Sequence, residues 1–323
     1  MPKIIVLDGY TSNPGDLSWK GLEALGECII YDRSVASQVV ERIGDAPIVL
    51  TNKVPISASD IAQLPTLRYI GIMATGINVV DVEAALKAGI VVTNVPAYST
   101  ASVAQLAMAH LLNITMRVDH YAVDTRNGVW SRNADFTYTD TPLIELDGMT
   151  MGIVGMGRIG RAVARMAQGM GMRVMAYSSQ AAEALPEGVI KAPSLDEMLA
   201  QADVVSLHVP LTPTTHHLID ARRLSLMKPT AILLNTARGA LVDEVALAQA
   251  LTEGRLWAAG IDALSQEPPA LDNPLVNAPN CYITPHLGWA TTQSRIRLLD
   301  VTIANVSSYL AGKTQNRVTR VES

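Results

Sequence analysis

The sequence has few of the features that mark secreted, membrane or nucleic-acid-binding proteins. Its 323 residues include only two cysteines, Cys28 and Cys281, which is too few for a disulfide framework. No apolar run is long enough to span a bilayer, and the opening MPKIIVLDGY lacks the features of a secretion signal. A net charge of -5 argues against a general binder of nucleic acid or anionic membranes. We therefore expect a cytoplasmic protein that binds neither nucleic acid nor membrane.

The length and the pattern of apolar segments predict two α/β domains. A chain of 323 residues exceeds one compact core, and 49% hydrophobic residues are typical of a well-packed protein. Short β-branched runs alternate with amphipathic stretches, which favours parallel βαβ units, and their continuous apolar character favours doubly wound sheets. The runs are KIIVLD, ECIIYD, PIVLTN, LRYIGIMAT and IVVTNVP, followed by TMGIVG, MRVMAY, ADVVSLHVP, AILLNTA, LWAAGIDAL and CYITPHLG.

Two long helices are predicted outside these strands. The first begins at about residue 102, where Ser102 and Gln105 have the spacing of a capping box, and passes from one domain to the other. It carries His110 and His120, which we interpret as structural residues. The second, in TTQSRIRLLDVTIANVSSYLAG, is expected to return to the first domain.

The strongest local motif is GMGRIG at residues 155–160, which lies directly after a predicted strand and opens a helix. Gly155 permits a tight turn, Gly157 lets a pyrophosphate approach the backbone, and Gly160 allows close helix–strand packing. The start of the helix offers free N–H groups to the phosphates. An ordinary glycine-rich turn is the alternative, but strand, loop, helix and next strand follow in order. The motif therefore indicates a dinucleotide-binding site.

The residue that selects the cofactor differs from the usual pattern. In an NAD enzyme a carboxylate about 20 residues after the glycines binds the adenosine ribose hydroxyls. Here Ser178 occupies that place, and no arginine or lysine follows at once to receive a 2′-phosphate. We expect NAD as the cofactor, with NADP not excluded.

Three later segments place reactive side chains at the carboxyl ends of predicted strands, the edge where α/β sheets bind ligands. They are LLNTARGALVDE with Arg238, GIDALSQEPP with Asp262 and Glu267, and TPHLGWAT with His286. Arg238 can bind a substrate carboxylate with two hydrogen bonds and polarise the neighbouring carbonyl. His286 can protonate that carbonyl while a nicotinamide delivers hydride, and Glu267 can fix the imidazole tautomer and stabilise its protonated form. Together they predict reduction of a 2-keto acid.

Each of these residues also has a structural alternative. The arginine could form a surface ion pair, the glutamate could lie in a turn, and the histidine could be a packed core residue. His286 has no second His or Cys at ligand spacing, and His216 and His217 are adjacent, so we predict no metal site.

The ordered segments GMGRIG, SLHVPLT, LLNTARG, GIDAL with EPP, and TPHLGWAT resemble the D-isomer-specific 2-hydroxyacid dehydrogenases over essentially the whole chain. The resemblance implies a Rossmann cofactor domain, residues 99–287, inserted in a flavodoxin-like substrate-binding domain, residues 1–98 and 288–323. It supports the catalytic roles of Arg238, Glu267 and His286. It also implies domain closure over the substrate and a homodimer formed through the cofactor domain, for which the apolar helix VAQLAMAHLLNITM is a candidate contact.

The resemblance further assigns residues to the cofactor and the substrate. Asp262 would hold the nicotinamide carboxamide, and Thr236 and Ala237 would border the nicotinamide ribose. The other implied cofactor contacts are Arg158, Ile159, Ser178, His208, Val209, Pro210, Thr215, His286 and Gly288, besides the three motif glycines. For the substrate, the loop of Ala74, Thr75 and Gly76 would offer backbone N–H groups to the carboxylate. Asn52 and Lys53 are weaker candidates for the far side of that pocket, and Trp289 would limit its size.

Within the family, the tryptophan after the catalytic histidine and the opening VLDGYTSNPGDLSW most resemble members that interconvert hydroxypyruvate and D-glycerate. The resemblance thus implies hydroxypyruvate as first substrate and glyoxylate as next. Enzymes acting on D-lactate, 3-phosphoglycerate, phosphonate or formate are the alternatives within the family. A nucleotide-sensing, corepressor-like binding protein is the alternative from another class, and the compact acidic chain does not favour it.

Overall fold

The computed structural model describes residues 1–319 of the chain. The chain divides into two compact units, and each has its own parallel sheet. The first unit comprises Met1–Ser99 and Trp289–Ser323, and the second comprises Thr100–Gly288. None of the described helices is both long and apolar enough to cross a membrane. The predicted class of two doubly wound α/β domains is confirmed.

The first unit is built on a sheet of five parallel strands in the order β2-β1-β3-β4-β5. The strands are β1 (Lys3–Val6), β2 (Glu27–Ile30), β3 (Ile48–Thr51), β4 (Tyr69–Ile72) and β5 (Val91–Thr93). All five coincide with predicted apolar runs, and β3 and β4 are buried at every position. The helices are α1 (Gly9–Ser12), α2 (Lys20–Glu23), α3 (Val39–Ile43), α4 (Ala58–Ala62), α5 (Val82–Lys87) and α12 (Thr292–Leu310). The last of these helices, α12, packs against β4 of the same unit.

The second unit is built on seven parallel strands in the order β12-β11-β10-β9-β6-β7-β8. They are β6 (Thr150–Val154), β7 (Arg173–Tyr177), β8 (Val189–Lys191), β9 (Val204–Leu207), β10 (Ile232–Asn235), β11 (Ala258–Ile261) and β12 (Cys281–Ile283). The order reverses between β6 and β9, and such a reversal opens a crevice at the carboxyl ends of the two strands. The helices are α6 (Thr100–Met116), α7 (Val118–Arg126), α8 (Arg158–Gly169), α9 (Leu195–Gln201), α10 (Ala221–Leu224) and α11 (Glu244–Thr252).

The long helix that opens the second unit differs from its prediction in two ways. It begins at Thr100, so Ser102 lies within its first turn, and the buried Ser102 hydroxyl has no hydrogen-bond partner among residues 1–319. The predicted capping box is therefore wrong. The helix also ends at Met116, because Arg117 adopts a left-handed conformation with φ of 49°, and His120 consequently lies on the separate helix α7.

The apolar residues of α6 belong to the core of the second unit. Ala104, Ala107 and Leu111 are fully buried and pack in one cluster with residues of α8 and of the central strands. The apolar character of this helix is therefore explained by packing within one chain, and it does not by itself support a dimer contact.

Candidate active site

The three glycines of the loop after β6, Gly155, Gly157 and Gly160, have different structural environments. Gly155 has φ of +96°, and a Cβ at this position would lie 2.8 Å from the carbonyl oxygen of His208. A Cβ on Gly160 would lie 2.1 Å from the carbonyl oxygen of Gly155. A Cβ on Gly157, in contrast, would meet no atom of the rest of the described chain within 4 Å, its sequence neighbours aside. The first and third glycines are thus required by the protein's own packing, whereas the second leaves open space.

That open space lies at the start of α8. Gly157 occupies the N-cap position and has no side chain that could cap the helix, and the first turn of the helix contains no acidic residue. The first helical hydrogen bond runs from the Arg161 N–H to the Gly157 carbonyl at 3.0 Å. The N–H groups of the first turn are therefore available to an anion, and the helix dipole favours one.

The end of β7 combines a small hydroxyl with a hydrogen-bonded glutamine. The Ser178 Oγ accepts the backbone N–H of Gln180 at 3.1 Å. The Gln180 side chain accepts from Arg161 at 2.5 Å and donates to the Met156 carbonyl at 2.9 Å. Lys191 donates to the Gln180 carbonyl at 2.8 Å. Two cations are therefore hydrogen-bonded to Gln180, two residues after Ser178.

Polar residues at the end of β9 and in the loop after it lie at the same edge of the sheet. His208 Nε2 lies 2.8 Å from the Ser206 hydroxyl, and burial lowers the pKa of His208 to about 4. This histidine is therefore uncharged at neutral pH, which agrees with a lining role. The Thr215 hydroxyl donates to the carbonyl of Pro210 at 2.7 Å and so holds the loop that contains Val209.

A nicotinamide dinucleotide fits these features of the second unit. The Thr236 hydroxyl, directly after β10, is buried and has no hydrogen-bond partner among the described residues. An orphaned buried hydroxyl is costly unless a ligand or water satisfies it. Together with the open space at Gly157 and the uncapped start of α8, it is consistent with a bound ribose and pyrophosphate.

His286 and Glu267 form the predicted pair. His286 Nδ1 lies 2.7 Å from Oε2 of Glu267, and Oε1 of Glu267 accepts the backbone N–H of Leu264 at 3.0 Å. The two side chains are 30% and 35% exposed, so a small molecule can reach them. Because Nδ1 faces the carboxylate, the other ring nitrogen, Nε2, is the atom that can exchange a proton with a substrate.

Asp262 organises the loop that carries His286. Its Oδ1 accepts from the Thr284 hydroxyl at 2.6 Å and from the Leu287 N–H at 2.7 Å, and its Oδ2 accepts from the Gly288 N–H at 2.8 Å. His110 Nε2 lies 3.0 Å from the Thr284 hydroxyl, and burial lowers the pKa of this histidine. The sequence pattern did not reveal that Thr284 and His110 support the loop, because the pattern shows no hydrogen bond between distant segments.

Arg238 lies on a loop that the surrounding backbone holds closely. The buried Asn235 side chain donates to the Arg238 carbonyl at 2.9 Å and accepts the Ala237 N–H at 3.1 Å. A Cβ on Gly239 would lie only 2.0 Å from the backbone of Leu264, so the arginine loop touches the segment that leads to Glu267. The Arg238 guanidinium is exposed, and it pairs with no carboxylate of residues 1–319.

In the first unit, the loop of residues 74–76 offers backbone donors at the end of β4. The Thr75 side chain donates to the Val95 carbonyl at 2.9 Å, and Asn94 donates to the Thr75 carbonyl at 2.7 Å. No acceptor within the described chain takes the backbone N–H of Thr75 or Gly76. These two N–H groups are therefore available to an anion.

A buried aspartate shapes the neighbouring loop of the same unit. Asp8 accepts the backbone N–H groups of Asn52 at 2.8 Å and Lys53 at 2.6 Å, and burial raises the pKa of its carboxyl. The sequence pattern did not identify Asp8 as a supporting residue.

Trp289 also belongs to this unit, where it packs against a core cluster that includes Tyr98 and Leu298.

Comparison with known proteins shows which family, relatives and solved structures the chain resembles. Residues 108–288 match the family described as D-isomer specific 2-hydroxyacid dehydrogenase, NAD binding domain. The chain is 48% identical over 321 residues to the hydroxypyruvate reductase of Blautia hydrogenotrophica, covering 98% of this chain and 100% of that protein. It is 41% identical over 283 residues to the glycerate dehydrogenase of Methylorubrum extorquens, covering 87% and 88%. The solved D-lactate dehydrogenase from Aquifex aeolicus, complexed with NAD and lactic acid, matches with a TM-score of 0.84 at 30% identity, covering 99% and 100%.

Proposed function

Because the chain belongs to the D-isomer specific 2-hydroxyacid dehydrogenase family, we propose that it reduces hydroxypyruvate to D-glycerate, with glyoxylate as a second substrate. The observation that carries this proposal is the pairing of His286 Nδ1 with Glu267 Oε2 at 2.7 Å. The segment that leads to Glu267 also touches the Arg238 loop, where Gly239 lies against the Leu264 backbone. Identity of 48% over nearly the whole chain with a hydroxypyruvate reductase supports the choice of substrate.

The roles of the three side chains follow from their chemistry. Arg238 binds the carboxylate of the keto acid and polarises its carbonyl. His286, protonated before the reaction, gives a proton from Nε2 to the carbonyl oxygen and so neutralises the developing alkoxide. Glu267 stabilises the imidazolium through Nδ1 and holds the ring in place. A nicotinamide cofactor, when bound, would supply the hydride for the carbonyl carbon.

The second unit would hold this cofactor, and we propose NAD as the preferred form. The pyrophosphate would meet Gly155, Gly157 and the first turn of α8, which includes Arg158, Ile159 and Gly160. The remaining contacts would come from Ser178, His208, Val209, Pro210, Thr215, Thr236, Ala237, Asp262, His286 and Gly288. Arg161 and Lys191 both donate to Gln180, so neither forms a dedicated site for a 2′-phosphate.

The first unit would contribute to substrate binding. Its free backbone donors at Thr75 and Gly76, next to Ala74, would receive the substrate carboxylate, because oriented N–H groups need little reorganisation when an anion arrives. Trp289 would limit the size of the substrate side chain.

We also propose that the protein is a cytoplasmic homodimer formed through the second unit. Large apolar side chains are exposed along α7 and the segment after it, including Val118 at 68%, Trp130 at 50% and Phe136 at 89%. Large exposed apolar side chains are typical of interaction surfaces, and a second copy of the chain is the partner we propose. Both cysteines are free, as expected in a reducing compartment.

A turnover assay tests the proposed function. Hydroxypyruvate, glyoxylate and pyruvate are each offered with NADH and with NADPH. We expect the highest kcat/KM for hydroxypyruvate with NADH. If the protein binds cofactor but reduces none of the three keto acids, the enzymatic proposal is wrong and the binding-protein alternative is supported.

His286→Ala tests the proposed proton donor. Loss of general acid catalysis is expected to lower kcat for hydroxypyruvate by at least about 100-fold, because proton transfer contributes 10²–10⁴-fold. The affinity for NADH, followed by fluorescence titration, should change little. Full turnover in this variant would remove His286 from the mechanism.

A further inference from the structure

Outside the candidate active site, one histidine and two aspartates converge between α7 and the segment that follows it. His120 and Asp124 are four residues apart on α7 and therefore lie on the same face of the helix. Asp140 comes from the irregular segment before β6. His120 Nε2 lies 2.6 Å from Oδ2 of Asp140 and 3.7 Å from Oδ2 of Asp124. The three ligand atoms all lie within 4.8 Å of one another.

Two tyrosines fix the orientation of this cluster. The Tyr138 hydroxyl donates to Asp124 at 3.1 Å, and the Tyr121 hydroxyl accepts the Asp140 N–H at 3.3 Å. The Tyr121 ring also packs edge-on against His120, with ring centroids 5.0 Å apart. Hydrogen-bonded neighbours that orient the ligands are a general feature of metal sites in proteins. The three side chains are partly exposed in the single chain, so an ion can bind them before two copies associate.

We propose that His120, Asp124 and Asp140 bind a divalent transition-metal ion, with Zn²⁺ as the occupant. An imidazole nitrogen with two carboxylate oxygens suits Zn²⁺, whereas Mg²⁺ and Ca²⁺ take oxygen ligands only. Ligand atoms around Zn²⁺ lie about 3–3.5 Å apart, given bond lengths near 2.0–2.2 Å. The separations of 2.6 and 3.7 Å therefore need only small side-chain movements. The two carboxylates also balance the charge of the ion.

The same distances have a simpler explanation, in which His120 and Asp140 form an ion pair that fastens the segment to α7. The two explanations differ in what the third ligand does. Asp124 Oδ2 is 3.7 Å from His120 Nε2, within ion-pair range but too far for a hydrogen bond, so the hydrogen-bonded pair of His120 and Asp140 does not require Asp124. In a metal site, Asp124 would bind the ion directly. The effect of changing Asp124 therefore distinguishes a metal site from an ion pair.

Calorimetric titration of the metal-free, full-length protein with ZnCl₂ tests the proposal. We expect one ion per chain, with a Kd in the micromolar range or below. Asp124→Asn and Asp140→Asn should each weaken binding at least about tenfold, because each removes a charged ligand. Asp119→Asn is the matched control, since it removes the same charge from an exposed position on the same helix. This variant should bind Zn²⁺ as the wild type does.

Three further measurements keep the test independent of folding and of catalysis. Co²⁺ in place of Zn²⁺ should give a visible absorption band in the wild type and in Asp119→Asn, and the band should be absent from Asp124→Asn. Zn²⁺ should raise the Tm of the wild type, because a ligand that binds only the folded state stabilises it. All variants should reduce hydroxypyruvate at the wild-type rate, since none of these residues belongs to the candidate active site.

Three results would overturn the proposal. The wild type could fail to bind Zn²⁺, or Asp124→Asn could titrate like Asp119→Asn. Binding could also depend on His216 and His217, whose stacked rings lie 4.0 Å apart, and a His216→Gln/His217→Gln variant would reveal this.

Discussion

At the scale of single residues, the proposed proton donor depends on an unusual backbone conformation. His286 has φ of +54°, in the left-handed region that few residues other than glycine adopt. Its N–H donates to the Thr284 carbonyl at 2.8 Å, and Asp262 accepts the N–H groups of Leu287 and Gly288. These bonds hold a conformation that would otherwise relax, as is common where a side chain carries function. The ring is thus aimed at Glu267 by the backbone.

Glu267→Gln tests the charge of the partner at nearly constant size. Without the carboxylate, Nδ1 of His286 loses its charged hydrogen-bond partner, and the imidazole ring is held less firmly. We therefore expect kcat for hydroxypyruvate to fall at least about tenfold, with little change in the affinity for NADH. Steady-state kinetics and fluorescence titration measure the two effects. Glu253→Gln, on an exposed glutamate elsewhere in the same unit, should leave both unchanged. A wild-type kcat in Glu267→Gln would contradict the proposed pairing.

Ser178→Asp tests the choice of cofactor. A carboxylate at the end of β7 would accept the ribose hydroxyls of NADH and repel the 2′-phosphate of NADPH. We expect kcat/KM with NADPH to fall at least about tenfold relative to that with NADH, since a charge repulsion near the surface is of order 1 kcal/mol or more. Steady-state kinetics with both cofactors measure the ratio. Ser179→Asp, at the adjacent exposed position, should change it much less. Equal effects of the two substitutions would mean that Ser178 does not face the ribose.

At the scale of elements, the continuous apolar runs in the sequence predicted the strands reliably. All eleven predicted runs contain a strand. The signal is clearest for strands buried at every position, such as β3, β4, β9, β10 and β11, because strands buried on both faces must be apolar throughout. The strand β8 was missed, since it has only three residues and two of them are exposed. The break between α6 and α7 was missed as well, because the left-handed conformation falls on Arg117, a residue that gives no local signal for it.

The candidate site was partly predictable for a related reason. Arg238, Glu267 and His286 stand out because reactive side chains follow apolar strands directly. Asp8 and Thr284 do not stand out, because they act through hydrogen bonds to residues 44 and 22 positions away in sequence. No spacing rule links such partners, so only the folded chain reveals them.

Gly239→Ala tests whether close packing of two loops positions the arginine. An added methyl group would lie 2.0 Å from the Leu264 backbone and 2.1 Å from the Ser265 nitrogen, so one loop must move. We expect the free energy of unfolding to fall by about 1–3 kcal/mol. We also expect kcat/KM for hydroxypyruvate to fall at least about tenfold, because small misplacements of binding groups are costly.

Gly169→Ala is the matched control, since a Cβ there meets nothing within 4 Å. Urea unfolding and steady-state kinetics measure both effects. If Gly239→Ala is as stable and as active as this control, the contact does not position Arg238.

At the scale of the whole molecule, both units follow one topological rule. In the first unit the strand order reverses between β1 and β3, where Asp8 and Asn52 meet. In the second unit it reverses between β6 and β9, where Gly155 approaches His208. Ligands of open α/β sheets bind at such reversals, at the carboxyl ends of the strands. Each unit therefore places its polar loops at the position that its own sheet favours for binding.

The proposed homodimer is tested by changing the most exposed apolar residue of α7 and its following segment. Phe136 is 89% exposed, and a charge there should oppose burial against a second copy. We expect wild-type protein to sediment as a dimer at micromolar concentration, and Phe136→Asp to shift toward the monomer with a dissociation constant at least about 100-fold higher. Leu271→Asp is the matched control, because Leu271 is 98% exposed in the same unit but lies outside this segment. A monomeric wild type, or equal sedimentation of all three proteins, would contradict the proposed interface.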